Sequence, residues 1–267
     1  MPETFCLPEK LNAMNKSEIK NFLDEKVELY NCTDFIENDP ISIPHRYTGK
    51  KDIEIAGFLS STIAWGRRDL ILQKANLMMD LMDDSPYDFL AGASDVELQR
   101  FETFYYRTFQ SVDALYFLKA LKNIYSEYSD MEEVFAKGMQ QGGVKEAIDH
   151  FREKFFSYSP QERSKKHLAN VMKGSAGKRV NMFLRWMVRD DSRGVDFGIW
   201  KSISPKDLFL PLDVHSGNVA RGLGILKRKQ SDWKAVEEVT AVLRDFDPDD
   251  PVKYDFALFG LGVNEKF

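Results

Sequence analysis

The chain is poor in the features that mark secreted, metal-binding and membrane proteins. Its 267 residues include two cysteines, Cys6 and Cys32, which form no Cys-x-x-Cys pair and no cluster of metal ligands. This argues against a disulfide framework and an iron–sulfur or zinc site, and we expect no metal and no cofactor. No apolar run approaches the ~20 residues that a membrane span needs, and the first residues contain no apolar signal core. The sequence therefore predicts a cytoplasmic protein with no membrane partner.

Strand patterns are also scarce. The alternation of apolar and polar residues that is typical of a half-buried strand occurs only briefly, around residues 107–109 and 208–210. Apolar spacings of three and four dominate instead, as at Ile19, Leu23 and Val27, with Ser17 as a plausible helix cap. The prediction is an all-α protein of roughly ten helices, judged from usual helix lengths.

Positive charge is unevenly distributed. The net charge of −5 argues against a nucleic-acid partner, but nine Lys and Arg between residues 163 and 193 face only two Asp. A concentrated basic region can bind a polyanion even in an acidic chain. Basic side chains that merely solvate helix faces give the same pattern. The nine are Arg163, Lys165, Lys166, Lys173, Lys178, Arg179, Arg185, Arg189 and Arg193.

A helical hairpin is predicted within this region. Ser159, Pro160 and Glu162 make a capping-box pattern for a helix that runs to about Met172. The stretch "KGSAG" then predicts a tight turn, because glycine readily adopts left-handed backbone, and a second helix begins near Lys178. Backbone N–H groups at such a turn and helix start can hold a phosphate. The alternative for Lys178 is an ordinary surface lysine.

A second informative stretch is "PLDVHSGNVARGLG", residues 211–224. Asp213 stands where an apolar segment turns into a helix, next to His215 and in front of Arg221. Asp213 is interpreted either as a helix N-cap or as a catalytic carboxylate. Trp65, in "TIAWGRRD", is interpreted either as a core residue or as a stacking partner for a base.

Together these pieces resemble the helix-hairpin-helix DNA glycosylase superfamily. The resemblance rests on Lys178 in "GSAGKRVNMF", Asp213 in "LPLDVHSGN", the early helix "DIEIAGFLSSTIAWGRRD" and the closing "DPVKYDFALFGLG". The spacing Gly174-x-x-Gly177 and the long gap between Lys178 and Asp213 depart from the superfamily pattern, as does the missing cysteine cluster. The whole chain is also similar to a bacterial conserved family of unknown function, which supplies no activity.

The resemblance implies base-excision repair on duplex DNA, damaged or not, with RNA left open. Lys178 would be the nucleophile that forms a Schiff base and nicks the strand, and Asp213 would stabilise the positive charge that builds on the sugar. Trp65 would lie in the base pocket. The residues expected to contact nucleic acid are Arg67, Arg68, Lys173, Gly174, Gly177, Arg179, Arg185, His215 and Arg221.

The resemblance also implies two helical lobes with the extruded base bound in the cleft between them. Residues 52–190, including the hairpin at 173–178, would form a helical barrel, and residues 1–51 with 191–267 would form the second lobe. Two alternatives remain open at this point. One is a non-catalytic nucleic-acid-binding protein on the same scaffold, and the other is a helical interaction protein. The base, the lesion and the oligomeric state are not predicted.

Overall fold

The computed structural model describes residues 14–159 and 161–265, and within these ranges the protein is all-α. The thirteen α-helices of the described ranges are α1 Lys16–Tyr30, α2 Asp34–Glu37, α3 Lys50–Thr62, α4 Arg68–Asp80, α5 Pro86–Gly92, α6 Asp95–Leu98, α7 Ser111–Glu127, α8 Met131–Gly142, α9 Val144–Ser157, α10 Lys178–Val188, α11 Val214–Gly222, α12 Trp233–Phe246 and α13 Tyr254–Asn264. Pairing of β type in this part of the chain is limited to two isolated bridges. No helix in it is both long enough and apolar enough to cross a membrane.

Two apolar clusters form the interior. The larger one gathers side chains of α3 to α10 together with residues from the segment after α10, such as Val195 and Trp200. The smaller one joins α1, α11, α12 and α13. The clusters do not follow the predicted lobe limits, because Ile41 and Ile43 before residue 52, and Trp200, Trp233 and Phe256 after residue 190, pack with the larger cluster. The lobe limits stay a prediction.

Helix α10 runs through the centre of the molecule. It packs against α3, and every residue from Val180 to Val188 is buried. Its apolar residues recur at spacings of three and four, and Phe183, Leu184 and Met187 are at most 1% exposed. The polar face of α10 is buried as well, because long-range carboxylates from later in the chain pair with its arginines.

The segment before the hairpin differs from its prediction. A 3₁₀ helix covers Glu162–His167 and ends there, so the α-helix expected to reach Met172 is wrong. Tertiary contacts to α7 decide this, since Ser164 Oγ donates to Asp113 Oδ1 at 2.7 Å and His167 Nε2 lies 3.3 Å from Asp113 Oδ2. Pro160 of the predicted capping box lies outside the described residues.

The N-terminal cap of α1 is likewise corrected. Asn15 caps this helix and Glu18 completes the capping box, because the Asn15 side chain accepts the N–H groups of Ser17 and Glu18. Ser17 is therefore a residue of the first turn. Helix α1 then packs along α13. Residues of α13 line the cavity that is described next.

Candidate functional site

Lys178 and Asp213 come from distant parts of the chain and meet at one cavity. Lys178 is the first residue of α10, and Asp213 is the N-cap of α11. Lys178 Nζ lies 3.8 Å from Asp213 Oδ2, and the two side chains are 29% and 20% exposed. The distance is long for an ion pair, and both charged groups remain partly exposed on the cavity lining.

Asp213 is the helix N-cap that its sequence position suggests. Its Oδ1 accepts the N–H of Ser216 at 2.9 Å and the Ser216 hydroxyl at 3.2 Å, while Ser216 Oγ accepts the Asp213 N–H at 2.9 Å. This reciprocal capping box fixes the side chain. Because capping uses Oδ1, Oδ2 is left to face Lys178. The cap thus orients the carboxylate toward the cavity.

The cavity has a volume of about 850 Å³ and combines apolar walls with a few charged groups. Its size falls in the range of small-molecule sites, which runs from about 300 to 1,000 Å³. Both apolar clusters contribute to the lining, through Met182 from the larger and Leu212 from the smaller. The side chains that matter for chemistry or stacking are Asp39, Trp65, Arg68, Lys178, Arg179, Asp213, His215 and Phe259.

Trp65 is half-buried and held from several sides. The guanidinium carbon of Arg179 lies 4.8 Å from the centre of the Trp65 ring, and the Tyr106 ring approaches edge-on at 5.3 Å. Tyr106 also donates its hydroxyl to the Trp65 carbonyl, and Arg179 donates to the carbonyl of Thr62. Burial lowers the pKa of Arg179 to about 10. Trp65 therefore both packs against the core and lines the cavity.

The hairpin turn has the predicted backbone. Gly174 and Gly177 have φ values of 91° and 61°, in the left-handed region that favours glycine. Gly177 is the N-cap of α10 and supplies no side-chain cap, so the first N–H groups of α10 lack a side-chain acceptor. Beside the turn lies a smaller cavity of about 350 Å³, whose lining includes Lys166, Ser175 and Arg179.

Most of the basic region is neutralised within the fold. Six of its nine cations have a carboxylate within 4.0 Å, namely Arg163, Lys165, Lys178, Arg185, Arg189 and Arg193. Lys166, Lys173 and Arg179 have none among the residues that the structure describes. These three lie next to the hairpin. The part of the predicted basic region that has no carboxylate partner is therefore found there.

Arg185 corrects the sequence prediction. It is 3% exposed, and its Nε donates to Asp196 at 3.2 Å while Nη1 pairs with Asp255. A side chain that is enclosed in this way cannot reach a nucleic acid, so its predicted binding role is wrong. Its partners lie 11 and 70 residues away in the sequence, where local reading does not find them.

The other predicted binding residues differ in position. Arg68 and His215 line the cavity, and the Arg68 guanidinium carbon is 5.5 Å from the Phe259 ring centre. Arg67 is exposed and pairs with Asp69 at 2.5 Å. Arg221 is held by the segment after α11, where its Nε donates to the Arg228 carbonyl at 2.8 Å. Lys173 is exposed at the turn.

Two buried carboxylates near Lys178 escaped the sequence analysis. Asp39 is 7% exposed and lines the cavity, and Asp255 stands in the first turn of α13 against Arg185. Burial raises the pKa of Asp255 to about 6, against the opposing charge of Arg185. Phe259, one turn along α13 from Asp255, was also missed. The one local signal was Asp39-Pro40, a cap-and-proline pattern for the 3₁₀ helix Pro40–Ser42.

Comparison with known proteins places the chain in a family without assigning it a role. No curated protein and no solved structure gives a significant match. A match to a family covers residues 39–264, which takes in the cavity, the hairpin and both carboxylates that were missed. The similarity to a conserved family of unknown function is thereby confirmed, and the chain belongs to the DUF2400 family of proteins of unknown function.

Proposed function

We propose that this protein is a DNA glycosylase with abasic-site lyase activity, in which Lys178 is the nucleophile. The observation that carries the proposal is the approach of Lys178 Nζ to within 3.8 Å of Asp213 Oδ2 on the lining of an 850 Å³ cavity. An amine beside a carboxylate, on a cavity with an aromatic wall, suits covalent attack on the sugar of an extruded nucleotide. We further propose that the helices form the two-lobed fold of the helix-hairpin-helix glycosylases, with duplex DNA as the partner.

The proposed chemistry begins with a proton transfer. Lys178 must give up a proton before it can attack, and the Asp213 carboxylate is the nearest acceptor in the structure. The amine nitrogen then forms a bond to C1′, and the bond from C1′ to the base breaks. The base leaves with the bonding electron pair and takes up a proton. That proton comes from Asp213, whose carboxylate is then ionised again and stabilises the positive charge that the sugar adduct carries.

Strand cleavage follows from the same adduct. Opening of the sugar ring converts the adduct to a protonated Schiff base between Lys178 and C1′. Loss of a proton from C2′ expels the 3′ phosphate by elimination, and water then hydrolyses the imine and regenerates the amine. An abasic site enters at the Schiff base, because its aldehyde condenses with the amine and releases water. Lyase activity on abasic DNA thus tests Lys178 independently of the base.

The remaining cations near the hairpin supply the proposed contact with the DNA backbone. Lys166 and Lys173 have no carboxylate within 4.0 Å among the described residues. Lys173 lies in the turn, Lys166 lines the smaller cavity beside it, and the α10 helix that follows has no side-chain cap at its N-terminus. Such a combination of cations and helix start favours phosphate. A 3₁₀ helix, Glu162–His167, precedes the turn where the usual hairpin has an α-helix. Helix α10 follows the turn directly, as the second helix of such a hairpin does.

The test is cleavage of a duplex that carries one abasic site. We expect Lys178→Gln and Asp213→Asn each to lower the cleavage rate by about 100-fold or more, the usual effect of removing a group that stabilises a transition state. Lys201→Gln is the matched control, because its side chain is 74% exposed and lies outside the cavity. Equal cleavage by all four proteins would refute the proposal. Salt-dependent DNA binding without cleavage would instead favour a non-catalytic nucleic-acid-binding protein.

A further inference from the structure

Asp39 is a buried carboxylate with one oxygen left over. The residue is 7% exposed, and its Oδ1 accepts the N–H of Ile41 at 3.1 Å. Among the described residues, Oδ2 accepts no hydrogen bond and no cation lies within 4.0 Å of either oxygen. Asp39 nevertheless lines the 850 Å³ cavity. The residue is buried but lines the cavity, so this oxygen is an acceptor that a donor group of a ligand in the cavity can reach.

The walls of the cavity indicate what kind of molecule carries that donor. Trp65 and Phe259 line it together with Met182 and Val263, so its sides are aromatic and apolar. A planar heterocycle stacks well against such walls. Lys178 and Asp213 lie on the same lining, which puts the spare oxygen of Asp39 and the proposed reactive pair around one ligand.

An ionised carboxylate only accepts hydrogen bonds, and this property discriminates among the bases. Guanine presents two adjacent donors on its Watson–Crick edge, the ring N1–H and the exocyclic amino group. Adenine and cytosine place an unprotonated ring nitrogen beside their amino group, and the lone pair of that nitrogen repels a carboxylate. Uracil and thymine flank their one N–H with two carbonyl oxygens, which repel it as well.

We infer that Asp39 reads the Watson–Crick edge of a guanine-type base in this cavity, and that such bases are the substrate class of the protein. Arg68, a donor on the same lining, is available to a carbonyl oxygen of that base. The inference deepens the proposed function and rests on it for the reaction, but base binding is measurable without any reaction. Burial is the main influence on Asp39 and raises its pKa, whereas the Ile41 N–H and the charge of Arg185 lower it. Donors from the base would complete the stabilisation of the carboxylate.

The experiment compares three soluble nucleotides that differ at this edge. Deoxyguanosine, deoxyinosine and deoxyadenosine monophosphate are titrated into the protein by calorimetry, since inosine lacks only the 2-amino group of guanosine. We expect the guanine nucleotide to bind about 10- to 100-fold more tightly than the inosine nucleotide, the usual effect of one hydrogen bond to a charged group. Asp39→Asn should reduce that preference to about 3-fold or less, because the amide places a donor against a donor.

The control is Asp34→Asn, which changes an exposed carboxylate five residues away and should keep the preference. Equal binding of the guanine and inosine nucleotides by the unchanged protein overturns the inference, as does no binding of either. A preference that survives Asp39→Asn also overturns it. The first two outcomes are measured on the unchanged protein. The third uses Asp39→Asn, whose fold is checked by circular dichroism.

A second readout separates this inference from the proposed function. Excision of 8-oxoguanine and of 8-oxohypoxanthine from matched duplexes is measured relative to cleavage of an abasic site. Asp39→Asn should lower the ratio of 8-oxoguanine excision to abasic-site cleavage by about 10-fold or more. If the protein cleaves abasic DNA but excises both bases equally, the inference about Asp39 is refuted and the lyase proposal is not. Nucleotide discrimination without any cleavage refutes the lyase alone.

Discussion

Asp196 bridges two buried arginines, and its substitution gives the sharpest test of the interior. Its Oδ1 accepts from Arg185 Nε at 3.2 Å and its Oδ2 lies 3.1 Å from Arg189 Nη1. The Asp196 side chain is fully buried, and the two arginine side chains are 3% and 2% exposed. Asp196→Asn keeps the size of the side chain but removes the charge that both guanidinium groups share.

The expected magnitude follows from this geometry. Removing one partner from a buried ion pair costs about 3–5 kcal/mol, because an uncompensated charge is left inside the protein. Both arginines keep other carboxylates, since Arg185 still contacts Asp255 and Arg189 still contacts Asp250. We therefore expect the lower end of the range, a loss of about 3 kcal/mol in the free energy of unfolding.

Urea unfolding followed by circular dichroism measures this loss. The control is Asp69→Asn, which breaks a pair with Arg67 whose side chains are 60% and 73% exposed. We expect no measurable change for the control, because exposed ion pairs contribute little. A loss below about 1 kcal/mol for Asp196→Asn would refute the reasoning, because it would mean that the buried arginines do not depend on this carboxylate.

Three other predictions follow from the same structure. Burial raises the pKa of Asp255 from 3.8 to about 6. The protonated side chain therefore contributes its full stabilisation below pH ~4, and this stabilisation is lost as the pH rises through ~6. Urea unfolding at several pH values should show this loss in the unchanged protein and a smaller one in Asp255→Asn. Gly177→Ala should cost about 1–3 kcal/mol in thermal unfolding, because φ is 61° and the new Cβ would lie 2.9 Å from a Val171 methyl. Gly174→Ala meets no neighbour within 4 Å, so any loss there reports the backbone strain at φ 91° alone. An unchanged unfolding temperature for Gly177→Ala would contradict this. Replacing Lys166 and Lys173 by Gln should reduce the slope of log affinity for DNA against log salt by about 2 in fluorescence anisotropy, and an unchanged slope would remove both from the DNA surface.

The sequence predicts the local features of this protein better than the long-range ones. The left-handed turn at Gly177 and the buried stripe of α10 are both visible as residue types at short spacing. The burial of Arg185 is not, because its carboxylate partners come from a non-helical segment and from α13. The same limit explains the overestimated basic surface, since charge counting along the chain ignores partners that folding brings in.

The candidate site shows the same division. Resemblance suggested that Lys178 and Asp213 act together, and the structure brings them within 3.8 Å. Asp39 was missed because it lies in a proline-containing connector that gives no periodic signal, and only folding carries it to the cavity. Glu54, which does not line the cavity, was also missed, because its partners come from other parts of the chain. It lies fully buried on an apolar helix, where it accepts from Tyr125, Trp200 and the Met131 N–H.

The most direct measurement of the central claim is to locate a trapped covalent bond. The protein is incubated with a duplex containing one abasic site, borohydride is added to reduce any Schiff base, and the adduct is digested and mapped by mass spectrometry. The account predicts a single modified residue, Lys178, and no adduct in Lys178→Gln. An adduct on another amine, or none at all with abasic DNA bound, would contradict the assignment of Lys178 as the nucleophile.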